Sequence, residues 1–141
     1  MLGTASGAHV EQVRELGADE VIDYRKTKFE EVARDVDVVL DAIGGETQER
    51  SWRVLKRGGV LVSLVQPPPA EKAAAHGVRG FIIRQKANGE QLASITDLVV
   101  KGKVKVNVET VLPLPQAAKA QELSKTGHSG GKIVLEVRDA E

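Results

Sequence analysis

Two apolar runs, separated by one helix length of sequence, constrain the fold of this chain more than any other feature. The first is DVDVVLDAIGG at residues 35–45, and the second is GGVLVSLV at residues 58–65. Both are typical of strands buried on both faces, and such strands joined by a helix indicate a parallel sheet covered by helices. Ligands of these sheets bind at the carboxyl ends of the strands, so the sequence predicts a binding edge at residues 41–45 and 63–66.

The composition excludes several classes of function. The chain has 141 residues, enough for one domain with a core, and its formal net charge is zero, which does not favour binding to nucleic acid or an anionic membrane. It has no cysteine, so disulfides, thiol catalysis and thiolate-ligated zinc are excluded. No apolar run approaches the roughly 20 residues of a membrane span, and the N-terminus lacks signal-peptide features. We therefore expect a cytoplasmic protein.

Helices and strands are expected to alternate along the rest of the chain. Ser6 is a suitable N-cap for a helix that ends at Gly17, and Asn88 with Gln91 begins another, whose apolar residues should point inward. Those inward residues are Leu92, Ile95, Leu98 and Val99. Further helices are expected over residues 28–34, 46–56 (ended by Gly58 and Gly59), 70–76 and 116–125, and further strands over residues 21–23, 79–84, 104–112 and 132–137.

Five motifs occur in a characteristic order: GTAS at residues 3–6, LGADEVIDY at 16–24, DVVLDAIGG at 37–45, LKRGG at 55–59 and GKIVL at 131–135. Together they resemble the zinc-free, quinone-oxidoreductase-like branch of the medium-chain dehydrogenase/reductase family, within the zinc-binding alcohol dehydrogenase superfamily. The resemblance covers essentially the whole chain. It implies a Rossmann domain that binds NADP(H), a catalytic domain split around it, and hydride transfer to quinones, enones or related electrophiles.

The resemblance also implies the fold class and the domains. We expect an α/β fold: a partial Rossmann-like parallel sheet with helices on both faces over residues 1–103, then a strand-helix-strand segment of the catalytic domain over residues 104–141. Family members place a first strand and a glycine-rich turn before the GTAS motif, and no GxGxxG occurs in these 141 residues. That turn presents backbone N–H groups to the cofactor pyrophosphate. We therefore expect the C-terminal part of a reductase, either a cut piece or a shortened natural protein, with poor affinity for NADPH when alone.

At the phosphate end of the cofactor, the resemblance implies contacts from two residues. Ser6 and Tyr24 match family positions near the 2′-phosphate of NADP. NAD-preferring Rossmann domains usually carry an acid at the end of the second strand, whereas this chain has no acid there before Glu11. With Arg25 beside Tyr24, this segment suits a phosphate better. The alternative is that Ser6 only caps a helix and that Tyr24 packs at a surface edge.

At the nicotinamide end, the resemblance implies two groups of contacts. Residues of the first turn match the loop that lines the ribose and nicotinamide: Ala42, Ile43 and Gly44. Ser63 and Leu64 match a segment whose backbone faces the carboxamide. A tight strand-to-helix turn needs glycine whether or not a ligand binds, so the pattern alone leaves both interpretations open.

A further segment, with Phe81 and Ile83, matches a strand that flanks the nicotinamide pocket and pairs with its counterpart in family dimers. An apolar edge strand favours such pairing, so we prefer the dimer role. The first strand is central in the Rossmann order, between the second and the fourth. Without it, the strands at residues 1–4 and 36–41 lose their shared neighbour. We therefore predict a homo-oligomer, formed through edge strand 79–84 or through the gap left by the first strand.

No catalytic or metal-binding residue is predicted. The histidines, His9, His76 and His128, are isolated in the sequence, and Trp52 has the spacing of a packing residue. The acids Asp23, Asp37 and Asp41 are explained as strand-end or capping residues. In this class of reductase the cofactor supplies the hydride and the protein mostly orients it.

Two functions compete. The first is the cofactor-binding portion of an NADP(H)-dependent oxidoreductase, active only with the N-terminal part that the family carries. The alternative is a non-catalytic truncated paralogue that acts as a dimerising or interaction module. A third hypothesis, an unrelated nucleotide-binding or methyltransferase-like sheet, is weaker because it would leave the C-terminal motifs unexplained.

Overall fold

The computed structural model describes residues 1–127 and 130–137, and the prediction for His128 lies outside the described residues. The chain divides into two compact units, Met1–Lys86 and Ala87–Glu141, which are described separately. The predicted boundary between residues 103 and 104 separates the cofactor-binding and catalytic domains of the family. The two compact units do not test it, so it stays a prediction.

The first unit alternates strands and helices, as the sequence predicts. Its elements are β1 (Leu2–Ala5), α1 (Val10–Glu15), β2 (Glu20–Asp23), α2 (Phe29–Val32), β3 (Val36–Asp41), α3 (Gly45–Ser51), β4 (Leu55–Ser63), α4 (Ala70–His76) and β5 (Arg79–Ile82). The strands form two separate parallel sheets, one with β1 and β2 and one in the order β3-β4-β5. The α/β class with parallel strands is confirmed.

The core of the first unit lies on one face of the three-stranded sheet. Leu61, in the middle of β4, is fully buried and packs with Trp52, Ala73 and Val78, against which Val39 and Leu55 also pack. The ring of His76 stacks on Trp52 with a centroid distance of 6.1 Å. Trp52 is therefore a packing residue, as its spacing predicts.

The opposite face of this sheet is open, so the expectation that the strand at residues 36–41 is buried on both faces is wrong. Val38 and Leu40 are 60% and 64% exposed, and Leu40 is paired through Val62 to Phe81, which is 51% exposed. The physical reason is that Trp52, which follows α3, and Ala73 in α4 both pack on the Leu61 face. Within the described residues, the apolar side chains of the other face keep much of their surface exposed.

The helix predicted over residues 46–56 is too long. It ends at Ser51, and β4 already begins at Leu55, so Gly58 and Gly59 lie within a strand and do not end a helix. The pairing of β3 with β4 shifts register between Val36 and Val38. A Cβ on Gly59 would lie 2.9 Å from the carbonyl oxygen of Lys56 and 3.1 Å from that of Asp37. The two glycines accommodate an irregularity in the ladder, which is a common use of glycine in strands.

The second unit contains α5 (Gly89–Val100), β6 (Val108–Pro113), α6 (Ala117–Lys125) and β7 (Lys132–Glu136), with β6 parallel to β7. The predicted cap of α5 is confirmed, because the Asn88 side chain accepts a 2.9 Å hydrogen bond from the N–H of Gln91. The predicted strand at residues 104–112 begins only at Val108.

The expected burial of the apolar face of α5 is wrong. Its four apolar residues were expected to point inward, but none of them is buried, and Leu92 is among the most exposed. Among the described residues, β6, α6 and β7 pack on one another, and the apolar residues of α5 keep much of their surface exposed. Among the described residues, no helix combines the length and apolar character needed to span a membrane.

Candidate functional site

The carboxylate of Asp41 lies at the carboxyl end of β3 and is only 3% exposed. Its Oδ1 accepts the backbone N–H groups of Ile43 (3.1 Å) and Gly44 (2.8 Å). Its Oδ2 accepts the Gln48 side-chain amide and the Ser63 hydroxyl, each at 2.9 Å. An aspartate that accepts N–H groups two and three residues ahead closes a tight turn. The prediction that Asp41 is a strand-end residue is therefore confirmed.

A second turn of the same kind follows β4. The Ser63 hydroxyl donates to Asp41 and accepts the N–H groups of Val65 (3.2 Å) and Gln66 (3.3 Å). The backbone adds another link, because Leu64 N–H donates to the Asp41 carbonyl oxygen at 2.9 Å. The two turns therefore lie side by side, and one O–H···O bond joins their central side chains.

Two glutamines complete this buried cluster. The Gln48 side chain, in α3, is fully buried, and it donates to Asp41 and, at 3.4 Å, to the carbonyl oxygen of Gln66. The Gln66 side-chain amide donates back to the Gln48 oxygen at 3.1 Å. The side chain of Gln66 also fills the space beside Gly44, where a Cβ would lie 3.1 Å from its Oε1. We call Asp41, Gln48, Ser63 and Gln66 the turn network.

The turn network keeps Asp41 ionised. Burial raises the pKa of this carboxyl, but the hydrogen bonds from Gly44 N–H, the Gln48 amide, Ile43 N–H and the Ser63 hydroxyl together outweigh it. The pKa of Asp41 is therefore below its ordinary value of 3.8. At neutral pH the carboxylate is an acceptor of hydrogen bonds and holds no proton to transfer.

The structure brings the predicted residues of the nicotinamide end to one edge. Ala42, Ile43 and Leu64 are exposed on the two turns, with Ile43 at 71%, while Gly44 and Ser63 are buried beneath them. Gly44 has φ +78° and ψ −163°, a conformation that residues with a Cβ essentially avoid. The glycine therefore serves a structural need of the turn.

The predicted residues of the phosphate end form a second group, at the carboxyl edge of β1 and β2. Tyr24 N–H donates to the Ala5 carbonyl oxygen at 3.1 Å, which places Tyr24 beside Ser6. A 3₁₀ turn (Gly7–His9) separates Ser6 from α1, and the Ser6 side chain makes no cap hydrogen bond, so its predicted capping role is wrong. The first helical N–H, that of His9, bonds to the Ser6 carbonyl oxygen instead.

An acid lies close to this second group. A Cβ on Gly7 would lie 3.0 Å from Oδ2 of Asp23. The carboxylate of Asp23 accepts Arg25 N–H at 3.1 Å and lies 3.7 Å from Lys26 Nζ. The carboxylate thus has a cation near it on the same turn.

Phe81 lies in β5, one residue before its end, and Ile83 directly follows β5. This strand is an edge of its sheet. Both residues are more than half exposed. Ile83 N–H donates to the Ser63 carbonyl oxygen at 2.9 Å, so the backbone of this segment is joined to the second turn.

The sequence prediction missed Gln48 and Gln66. Their only signal is that Gln48 follows Asp41 by seven residues, across the glycine turn, and that Gln66 follows Ser63 by three. Among residues 1–127 and 130–137, no three histidine, aspartate or glutamate side chains come together in a way that could hold a metal ion. The described residues therefore do not fit a zinc site.

Comparison with known proteins identifies the family. Residues 16–135 match the family model described as zinc-binding dehydrogenase. The chain belongs to this family. The predicted resemblance is confirmed by this match together with the quinone oxidoreductases among the similar structures given below, while its zinc-free character stays a prediction.

Several relatives are similar over nearly the whole chain. A probable zinc-binding oxidoreductase, mitochondrial, of Arthroderma benhamiae is 31% identical over 97% of this chain and 44% of its own length. The NADPH-dependent alkenal/one oxidoreductase, chloroplastic, of Arabidopsis thaliana is 36% identical over 94% of this chain and 32% of its own length. The chain thus spans less than half of these relatives. The expected cytoplasmic location stays a prediction, since both are named as organellar.

Solved structures agree with the fold. The quinone oxidoreductase from Coxiella burnetii superposes with a TM-score of 0.86 at 31% identity, over 97% of this chain and 44% of that one. The quinone oxidoreductase of Escherichia coli complexed with NADPH superposes with a TM-score of 0.79 at 25% identity, over 96% of this chain and 49% of that one. A nicotinamide cofactor is therefore bound by members of the family.

The space beside Gly44 gives a first prediction. Replacing Gly44 with alanine should strain the backbone and push the new Cβ against Gln66, whereas Gly58, with φ +79°, has no atom within 4 Å of its Cβ position. We expect Gly44→Ala to lower the free energy of unfolding by roughly 1–3 kcal/mol, and Gly58→Ala by less. Urea denaturation followed by Trp52 fluorescence measures both. Equal losses would show that Gln66 does not press on this site.

The low pKa of Asp41 gives a second prediction. A carboxyl whose pKa is lower in the folded state stabilises the protein above its unfolded pKa, and this contribution is lost as the pH falls through the folded pKa. We expect Asp41→Asn to lower the free energy of unfolding by about 1.5–3 kcal/mol at neutral pH. The difference from the unmodified protein should shrink below the ordinary carboxyl pKa of 3.8.

Asp37→Asn is the matched control for this pH series. Asp37 lies on the same strand, but its side chain is 77% exposed and pairs with Lys56 on the surface. Hydrogen bonding to Lys56 lowers the pKa of Asp37 as well, but water screens the pair and its effect on stability should be small. A loss as large as that of Asp41→Asn would contradict the importance of burial. Unfolding curves of both variants and of the unmodified protein, measured at several pH values, test these expectations.

Proposed function

We propose that this chain is the cofactor-binding portion of an NADP(H)-dependent oxidoreductase that transfers a hydride to quinones, enones or related electrophiles. The observation that carries the proposal is the pair of turns at the carboxyl ends of β3 and β4, which the turn network fixes side by side. That edge is where parallel α/β sheets bind ligands. Membership of the family and the NADPH complex of a related structure support the nicotinamide cofactor.

In this proposal the two turns hold the nicotinamide half of the cofactor. Ile43 and Leu64 offer apolar side chains beside a buried glycine. The N–H groups of residues 43, 44 and 64–66 already donate within the turns, so a carboxamide or a ribose would be held by backbone carbonyl groups of the exposed residues Ala42, Ile43, Leu64 and Val65. The cofactor supplies the hydride when bound, and the residues of the two turns orient it; Asp41 is ionised at neutral pH and holds no proton for the reaction.

The phosphate half would lie at Ser6 and Tyr24, with Arg25 and Lys26 as nearby cations. Lys26 lies 3.7 Å from the Asp23 carboxylate, so a cation and an acid both lie near the proposed site of the 2′-phosphate. The proposal assigns no zinc to residues 1–127 and 130–137, where no group of three histidine, aspartate or glutamate side chains could hold a metal ion. The 141 residues contain no GxGxxG, so we expect the chain alone to bind NADPH weakly.

A site-resolved titration tests the proposal. Amide signals of the ¹⁵N-labelled 141-residue chain are followed by NMR as NADPH is added to millimolar concentrations, with NADH as the matched ligand. We expect weak binding, with shifts at residues 42–44 and 64–66 for both ligands and larger shifts at Ser6 and Tyr24 for NADPH. Only NADPH carries the 2′-phosphate that this second group would contact.

Three other outcomes would contradict parts of the proposal or favour the alternative function. No shift at millimolar NADPH would overturn the proposed cofactor site in this chain. Micromolar affinity would contradict our view that a glycine-rich turn is needed. Oligomerisation without any cofactor binding would favour the alternative, a non-catalytic dimerising module.

We also propose that the chain forms a homo-oligomer, either through edge strand 79–84 or through the open edges of β1 and β3. The support is that β5 and β3 are the two edges of their sheet and both carry exposed apolar side chains. Strand edges of this kind favour pairing with another chain. Phe81 represents the first edge and Val38 the second.

Sedimentation velocity across micromolar concentrations distinguishes the two edges. Phe81→Lys should dissociate an oligomer built on strand 79–84, and Val38→Lys one built on the gap beside β3, because a lysine on a strand edge opposes pairing. Leu16→Lys, at an exposed position just after α1, is the control and should change nothing. A strictly monomeric unmodified chain would contradict the proposal.

A further inference from the structure

Two turns that are 22 residues apart in sequence share a single hydrogen-bond relay. The N–H groups of Ile43 and Gly44 end on Asp41, the Ser63 hydroxyl donates to the same carboxylate, and the N–H groups of Val65 and Gln66 end on the Ser63 oxygen. The relay therefore contains four backbone donors and only two side chains.

We propose that Asp41 and Ser63 are positioning residues that couple these two turns, so that residues 42–44 and 64–66 present the nicotinamide pocket as one rigid unit. This inference rests on the proposed function for its ligand, whereas the coupling itself is a property of the chain. Neither side chain is placed to touch the cofactor, because both are buried beneath the exposed residues of their turns.

The burial of the relay argues for a positioning role. A buried charge costs free energy that apolar residues of similar size would not cost, so a charged group is a poor means of gaining stability alone. Here the charge satisfies two backbone N–H groups of one turn and, through Ser63, holds the other. Fully satisfied buried networks of this kind fix one conformation.

A second connection, between Gln48 and Gln66, joins the same two turns. Gln48 reaches from Asp41 to the carbonyl oxygen of Gln66, and Gln66 returns a bond to Gln48 while filling the space beside Gly44. A displacement of one turn must therefore break bonds that belong to the other. Since hydride transfer requires a nicotinamide held in a defined place, the two turns would have to move together to keep it there.

Amide hydrogen exchange tests the coupling without any ligand. Ser63→Ala should speed exchange at Ile43 and Gly44 by roughly tenfold or more, although Ser63 bonds to neither N–H, and Asp41→Asn should do the same at Val65 and Gln66. Ser51→Ala is the matched control, because Ser51 is another buried serine of this unit whose hydroxyl bonds within α3. Faster exchange confined to the mutated turn, or equal to that in Ser51→Ala, would overturn the proposal.

Two ligands then separate positioning from general destabilisation. Adenosine 2′,5′-bisphosphate carries the phosphate end of NADPH and lacks the nicotinamide. We expect Asp41→Asn and Ser63→Ala to raise the dissociation constant for NADPH about tenfold and to leave that for the bisphosphate unchanged, with Ser51→Ala changing neither. Equal losses for both ligands would show that the relay acts only through stability.

The two arms also separate this inference from the proposed function. An unmodified chain that binds neither ligand refutes the proposed cofactor site, while the exchange data still decide whether the turns are coupled. A chain that binds NADPH normally in both variants keeps the proposed function and refutes the positioning role.

Discussion

The buried carboxylate of Asp41 is the interaction on which the turns after β3 and β4 depend. Removing an ion from water is costly, and the structure offsets that cost with two backbone N–H groups, an amide and a hydroxyl. These donors come from both turns and from α3. The carboxylate therefore closes the turn after β3 and, through Ser63, joins it to the turn after β4.

The turn network begins where the apolar core stops. Leu61 and Ser63 lie two residues apart on β4, so their side chains point to the same face of the sheet, and both are fully buried. Leu61 packs on Trp52, whereas Ser63 bonds to Asp41. One face thus changes from apolar packing to hydrogen bonding within a single step of the strand. The apolar core holds β4 in place, and the hydrogen bonds of the turn network hold the turns that follow β3 and β4.

The turn after β3 could be predicted from the sequence because its signals are local. An apolar strand that ends in Asp41 and is followed by Gly44 indicates a tight turn in almost any context. The pairing of Gln48 with Gln66 depends on two segments that meet only in the fold. The end of α3 was misplaced because Trp52 and Leu55 fit a helical spacing as well as a turn and a strand. Burial of the second sheet face and of α5 was wrongly expected because an apolar pattern shows which face needs a partner, not that the described residues supply one.

As the proposed cofactor site, this pair of turns suits chemistry in which Asp41 moves no proton. The pKa of Asp41 lies below its ordinary value, so its charge is constant at neutral and mildly acidic pH. The other members of the turn network, Gln48, Ser63 and Gln66, do not titrate in that range. The geometry of the two turns should therefore not vary with pH where the protein is folded. An enzyme whose cofactor carries the hydride needs that constancy of position more than it needs an acid or a base at this edge.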